Sequence, residues 1–263
     1  MPKIKANGIN INYVISGPEN APWITFSNSL GTNVTMWDEQ AELLSKSWRV
    51  LRYDQRGHGA TDAPKPPYNF DQLIADIVAL WDALGVKKTA FCGLSMGGIT
   101  GIGLCLKHAD RLTGFIGADC RCDSPPGFRE AWDERIAHAT NHGMDSMSDL
   151  TVKRWFTERF LKANPKVIDK VKGMIRTTPL DGWVGGCRAL QEIHYREHLG
   201  KIRTPVQFLC GAEDGAANPA YMRPMHEAVP NSRFAVIPDA GHISNMEAAP
   251  QFNEIMTGFL KTL

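Results

Sequence analysis

Thr89-Ala90-Phe91-Cys92-Gly93-Leu94-Ser95-Met96-Gly97-Gly98 is the stretch that decides the fold. Its first four residues read as a strand, and Ile99 to Lys107 behind it are helical in pattern, so Ser95 falls on the turn between them inside a G-x-S-x-G. A serine at the apex of a sharp strand-to-helix turn is held in a strained backbone conformation. Both flanking positions must then be glycine, so that strand and helix pass without a Cβ clash. The hydroxyl points out over the sheet edge, and the helix aims its positive N-terminal end and free N–H groups at the spot where an oxyanion would form. Outside that context the same five residues would be only a serine in a glycine-rich turn.

A serine hydroxyl is a weak nucleophile at neutral pH; it needs a base, and the base needs an orienting carboxylate. In a strand–serine–helix architecture the order is serine, acid, histidine, each on a loop after a strand's carboxyl end. Gly211-Ala212-Glu213-Asp214 follows the apolar run ending at Cys210, and Ala240-Gly241-His242 follows the run ending at Ile237. Of eight histidines, only His242 comes after a late strand on a short glycine-containing loop; the other seven read as surface or core residues, His58 as a structural turn residue. For the acid, Asp119 is a competitor and Glu213 a weaker one, and placement after a late strand favours Asp214. The oxyanion hole requires two backbone donors. Met96 is one, and the loop Ser27-Asn28-Ser29-Leu30-Gly31 supplies the other, with Leu30 as donor and Gly31 letting the backbone turn.

Reading outward, Asn7-Gly8 between two alternating stretches predicts a two-residue hairpin at the start of the chain. The strand-like Trp23 to Phe26, a helical stretch near Met36 to Leu44 and the strand-like Arg49 to Tyr53 predict a parallel crossover. Phe70, Leu73, Ile74, Ile77, Val78, Trp81 and Leu84 recur at helical spacing behind a capping-box pair, Asn69 and Gln72. Leu112 to Ala118 is the next strand. Between about Ser124 and Gly200 the alternation gives way to long helical segments rich in Trp and Met, and it resumes at Val206 to Leu209, a helix near Ala220 to Ala228, the strand Phe234 to Ile237 and a last helix. The expected fold is α/β: a mostly parallel sheet with an N-terminal antiparallel hairpin. Its core spans 1–123 and 201–263, and a helical cap, 124–200, is inserted in it.

The 263 residues carry 29 basic and 28 acidic side chains and are 43% hydrophobic, which excludes a disordered or collagen-like chain. A net charge of +1 offers no broad basic face, so neither nucleic acid nor an anionic membrane is an expected partner. The first residues lack the apolar stretch of a secretory signal and no segment reaches about 18 uninterrupted apolar residues, so a soluble, cytoplasmic protein is expected. The six cysteines, several within apolar runs, read as buried reduced thiols. Cys120-Arg121-Cys122 is too tightly spaced for a usual zinc or thioredoxin-type pair. His194-Tyr195-Arg196-Glu197-His198 matches the H-x-x-E-H of zinc peptidases, yet no clear third ligand accompanies it.

These residues together resemble the α/β-hydrolase superfamily and, within it, the 3-oxoadipate enol-lactonases. The resemblance is carried by Ser27 to Thr32 with Met36-Trp37-Asp38, by Arg52-Tyr53-Asp54 with Arg56-Gly57-His58-Gly59, by Cys92 to Gly98, and by His242 with Ser244-Asn245. It implies a serine hydrolase acting without cofactor or metal on a small unsaturated lactone that bears a carboxylate. A cation should then sit in the cap. Arg135, one helical turn from Trp132, is the candidate clamp, the alternative being an ion pair with a neighbouring acid on a solvated face. Trp132 and Trp155, with Trp183, are candidate pocket walls or simple packing. One departure stands out: Asp119-Cys120-Arg121-Cys122-Asp123 replaces a neutral Asn-Thr-type stretch, and its charge near the expected pocket mouth bears on substrate choice. Other readings stay open: a broader carboxylesterase, another lactonase or amidase, a carbon–carbon bond hydrolase with the same triad, or a non-enzymatic receptor on the same fold. Self-association into a homo-oligomer is left open.

Overall fold

The computed structural model describes residues 2–263. β1 (Lys3–Ala6) and β2 (Ile9–Ser16) form the expected antiparallel hairpin, turned at Asn7 and Gly8, which both take positive φ. β3 (Trp23–Ser27), α1 (Asp38–Leu44), β4 (Arg49–Tyr53), α2 (Phe70–Ala83), β5 (Thr89–Leu94), α3 (Met96–Lys107) and β6 (Leu112–Ala118) follow. Next come α4 (Phe128–Trp155), α5 (Glu158–Ala163), α6 (Pro165–Thr177) and α7 (Leu180–Gln191). β7 (Val206–Gly211), α8 (Pro219–Ala228), β8 (Arg233–Ile237), α9 (Ser244–Glu247) and α10 (Ala249–Leu260) complete the chain. The strands form one sheet in the order β1-β2-β4-β3-β5-β6-β7-β8, parallel from β4 onward.

The parallel part is covered by helices on its faces, which is why β5 and β7 are buried along their whole length and mostly apolar rather than alternating. α2 begins as its sequence dictates. Asn69 accepts from the Gln72 N–H, and Gln72 reaches back to the Asn69 N–H. α4 to α7 lie between β6 and β7, and α4 is interrupted at Gly143, whose φ of 78° and ψ of 170° lie outside the helical region. Among the described residues no helix is long and apolar enough to cross a membrane.

One boundary differs from the sequence expectation. α3 starts at Met96, not Ile99, so strand and helix are separated by Ser95 alone. The helix can begin that early because its first turn carries two glycines, Gly97 and Gly98. A Cβ on Gly93 would lie 2.2 Å from the Gly97 carbonyl oxygen, and one on Gly97 would lie 2.3 Å from the carbonyl oxygen of Ser27. The helix, β5 and the loop after β3 therefore touch backbone to backbone, and this contact sets the height at which Ser95 emerges. Ser95, Asp119, Asp214 and His242 all follow the carboxyl ends of parallel strands, the edge where ligands bind in open α/β sheets. Gly97→Ala should drive its methyl into the Ser27 carbonyl and destabilise the fold by about 3 kcal/mol. Thermal unfolding should then show a midpoint lowered by roughly 6–12 °C.

Candidate active site

Ser95 sits at φ 54° and ψ −115°, a region that a non-glycine residue occupies only when its surroundings force it. Its own N–H is tied to the Ala118 carbonyl at 2.9 Å, so the end of β6 fixes the turn at the end of β5. The Ser95 hydroxyl lies 2.9 Å from His242 Nε2, and His242 Nδ1 lies 2.9 Å from Asp214 Oδ2. An ionised carboxylate only accepts. Nδ1 therefore carries the proton, Nε2 presents its lone pair, and the Ser95 O–H donates to it.

The supports of this chain come from distant parts of the fold. The second Asp214 oxygen accepts the Ala216 N–H at 2.6 Å. Burial pushes the Asp214 carboxyl upward, but the imidazole of His242 and the hydrogen bonds from His242, Ala216 and Ala217 outweigh it, leaving its pKa below the ordinary value. The His242 N–H donates to the Trp155 carbonyl at 2.7 Å, and the Gly241 N–H donates to Glu247 Oε2 at 2.8 Å. The other Glu247 oxygen accepts from the Thr157 N–H at 3.0 Å. Glu247 thus joins the histidine loop to the end of α4, a role with no signal in its local sequence.

Asp214 and neither of its rivals faces His242. Glu213 pairs with Arg159, and Asp119 accepts from the Gly211 N–H at 2.8 Å and from the Ser244 hydroxyl. Of the two expected oxyanion donors, Met96 is the first residue of α3, so its N–H has no carbonyl four residues back to bond. The Leu30 N–H likewise has no acceptor among the described residues, and Gly31 behind it turns the loop at φ 73°. A model of the alpha/beta hydrolase fold matches residues 22–249.

The chain belongs to the α/β hydrolase fold family. It is 33% identical over 258 residues to 3-oxoadipate enol-lactonase 2 of Acinetobacter baylyi, covering 98% of this chain and 96% of that one. The enol-lactonase of Burkholderia xenovorans LB400 superposes with a TM-score of 0.95 at 38% identity, over 99% of this hydrolase and all of that chain. A thermophilic esterase from Thermogutta terrifontis, in a malate-bound structure, superposes with a TM-score of 0.94 at 26% identity, over 100% and 99% of the two chains.

In this hydrolase a cavity of about 630 Å³, within the usual range for small-molecule sites, opens onto Ser95 and His242. Leu30, Trp132, Trp155 and Trp183 form much of its apolar wall. Trp155 approaches the His242 ring at 6.1 Å between centroids. Arg135 lines the cavity with its guanidinium 4.4 Å from the centre of the Trp132 ring, and it makes no ion pair among the described residues. Pairing with a neighbouring acid on a solvated face is therefore not what this side chain does. Burial, and after it the charge of Arg154, lower its pKa to about 10. Arg154 is a second cavity cation, also desolvated, that the sequence reading missed. Inside Lys153-Arg154-Trp155 it looks like any basic residue closing a helix, and only the fold turns it inward.

The other candidates lie elsewhere. His194 sits in an isolated bridge with Asp123, and Arg196 to Lys201 form a 3-10 helix, so His194 and His198 do not stack one α-turn apart. Among the described residues no three His, Cys, Asp or Glu side chains are grouped to hold a metal ion. All six thiols are buried and unbridged. His58 is fully buried beneath the site, its Nδ1 3.0 Å from the Arg56 carbonyl, and burial lowers its pKa to about 4. The unfolded chain takes up this proton near pH 6.5 and the folded one only near 4, so the native state loses stability as pH falls through that window. The loss should be on the order of 3 kcal/mol. Denaturant titrations from pH 7 to 4 should show it, and His58→Asn, which retains a donor for the Arg56 carbonyl, should flatten that part of the profile.

Proposed function

We propose that this chain, an ester or lactone hydrolase, opens a small carboxylate-bearing enol-lactone of the 3-oxoadipate type through a Ser95 acyl-enzyme. The observation that carries the reading is a serine–histidine–aspartate hydrogen-bonded chain opening into a mostly apolar cavity whose wall holds a cation with no acid partner among the described residues. The Acinetobacter and Burkholderia lactonases, similar over nearly their whole length, support it. The functional unit in this reading is the core of residues 1–123 and 201–263 under a cap of residues 124–200.

His242 Nε2 takes the Ser95 proton as Oγ attacks the lactone carbonyl, while Asp214 holds the imidazole in the required tautomer and stabilises the imidazolium. The Met96 and Leu30 N–H groups, having no acceptor among the described residues, receive the developing oxyanion. Collapse of the tetrahedral intermediate breaks the ring carbon–oxygen bond. The enolate released stays tethered to the acyl chain, takes the proton from Nε2 and relaxes to the ketone, which disfavours reclosure. Water deprotonated by His242 then attacks the ester carbonyl and frees Ser95 and the diacid. Arg135 holds the substrate carboxylate through paired N–H donors, and Trp132 fixes the guanidinium from below. Arg154 adds positive potential on the same wall. A water-poor site strengthens both interactions.

A second reading, a broader esterase, is favoured by the apolar character of the wall and by the similarity to the Thermogutta esterase. Steady-state kinetics on 3-oxoadipate enol-lactone and on a neutral short-chain aryl ester separate the two. The lactone should be strongly preferred, and Arg135→Ala should raise its KM roughly 10- to 100-fold, the value of a charge-assisted pair, while barely changing the neutral ester. Equal use of both substrates, or an Arg135→Ala effect on both alike, supports the esterase instead. Ser95→Ala should lower kcat on either substrate by at least about 10⁴-fold, and Asp214→Asn by a similar factor.

A further inference from the structure

The charged segment Asp119-Cys120-Arg121-Cys122-Asp123 begins directly after β6, and its geometry gives it work to do. Asp119 is buried and takes a positive φ of 46°. Its N–H is fixed by the Leu209 carbonyl at 2.9 Å, so the residue is anchored to β7. One carboxyl oxygen accepts the N–H of Gly211, the last residue of β7 and three before Asp214. The other accepts the hydroxyl of Ser244, two residues after His242. Two residues further on, Arg121 Nη1 donates to the Ala216 carbonyl at 2.6 Å, while the Ala216 N–H donates to Asp214 itself. The acid loop is thus gripped before Asp214 by Asp119 and after it by Arg121. Asp119 alone also reaches the histidine loop.

We propose that Asp119 is a positioning residue that ties the loop carrying Asp214 to the loop carrying His242 through its bridge between Gly211 and Ser244. The inference rests on the serine-triad reading but not on the lactone as substrate. Asp119 is on the cavity edge, yet both its oxygens are engaged with hydrogen-bond partners in the protein, which leaves it no free group to offer a substrate. Burial and the neighbouring charge of Asp214 push its carboxyl well above the usual range, favouring the neutral form. In that form the proton lies on the oxygen facing Ser244, whose hydroxyl then accepts instead of donating, and the negative charge of the pair stays on Asp214, where it faces the imidazole. The other charges of this segment have protein partners as well: Asp123 pairs with Arg196, and Arg121, on the cavity lining, stacks 3.7 Å over the Tyr221 ring.

The test is steady-state kinetics on a neutral aryl ester, with thermal unfolding as a folding check. An asparagine reproduces the shape of a neutral carboxyl, with one acceptor for Gly211 and one donor for Ser244. Asp119→Asn should therefore stay within about threefold of the parent, whereas Asp119→Ala should lower kcat about 30-fold with KM within twofold, as a small misalignment of reacting groups does. Ser244→Ala, which removes only the far end of the bridge, should lower kcat severalfold at unchanged KM. The Asp119→Ala/Ser244→Ala pair should be no worse than Asp119→Ala alone. If Asp119→Ala does not fold, Asp119→Asn and Ser244→Ala decide. Normal kcat in Asp119→Ala or Ser244→Ala, a KM effect in place of a kcat effect, or Asp119→Asn as damaged as Asp119→Ala would overturn the assignment. Ser95→Ala run in parallel separates the two levels: if it still turns over, the serine reading falls as well, and if it is dead while Asp119→Ala is normal, only the bridge is wrong.

Discussion

The turn at Ser95 is held in a conformation that its own side chain disfavours, by roughly 1–3 kcal/mol, and most of the architecture around the site can be understood as what holds it there. The strand before it is buried on both sides, the helix after it starts at once, and glycine backbones at 93 and 97 let neighbouring chain approach where a methyl would collide. The Ser95 N–H is pinned by the end of β6. A serine so placed projects into the open edge of the sheet with the amino end of α3 behind it, so the strain is what exposes the hydroxyl.

The histidine and its acid are placed by a looser logic. They stand on loops after β8 and β7, and loops need ties. The ties come from three directions: from Trp155 at the end of α4 and Glu247 of α9, which bonds Thr157 just beyond α4; from Asp119 after β6; and from direct contact between the two loops, where the Glu213 N–H donates to the Ala240 carbonyl at 2.9 Å. The helices between β6 and β7 thus contribute both the wall of the cavity and part of the scaffold of the histidine loop. A change in how α4 seats would be felt at His242 through the Trp155 carbonyl.

The order of loops was legible in the sequence because it follows from local signals: a run of apolar residues, a glycine-containing turn and a polar residue just past a strand end. Capping at Asn69 and the hairpin at Asn7-Gly8 were legible for the same reason. What was not legible depends on residues far apart in the chain. Arg154 reads as an ordinary helix charge and Arg135 equally well as a clamp or as an ion-pair partner, and only the packing of α4 over the sheet brings both to one cavity. Glu247 reaches Thr157, and Asp119 reaches Ser244, across separations that no pattern of neighbours encodes. The H-x-x-E-H at 194–198 shows the converse: five residues at the right spacing acquire meaning only on an α-helix, and here the backbone is a bridge followed by a 3-10 turn.

The central claim is that Ser95 becomes acylated during turnover, and intact-protein mass spectrometry of the enzyme quenched in acid during lactone hydrolysis tests it most directly. Because the leaving group of a lactone stays attached to the acyl chain, the account predicts an adduct of the full substrate mass. Peptide mapping should place it on the segment containing Ser95, and it should be absent in Ser95→Ala. An adduct on another residue, or product formed by Ser95→Ala at an undiminished rate, would contradict the account.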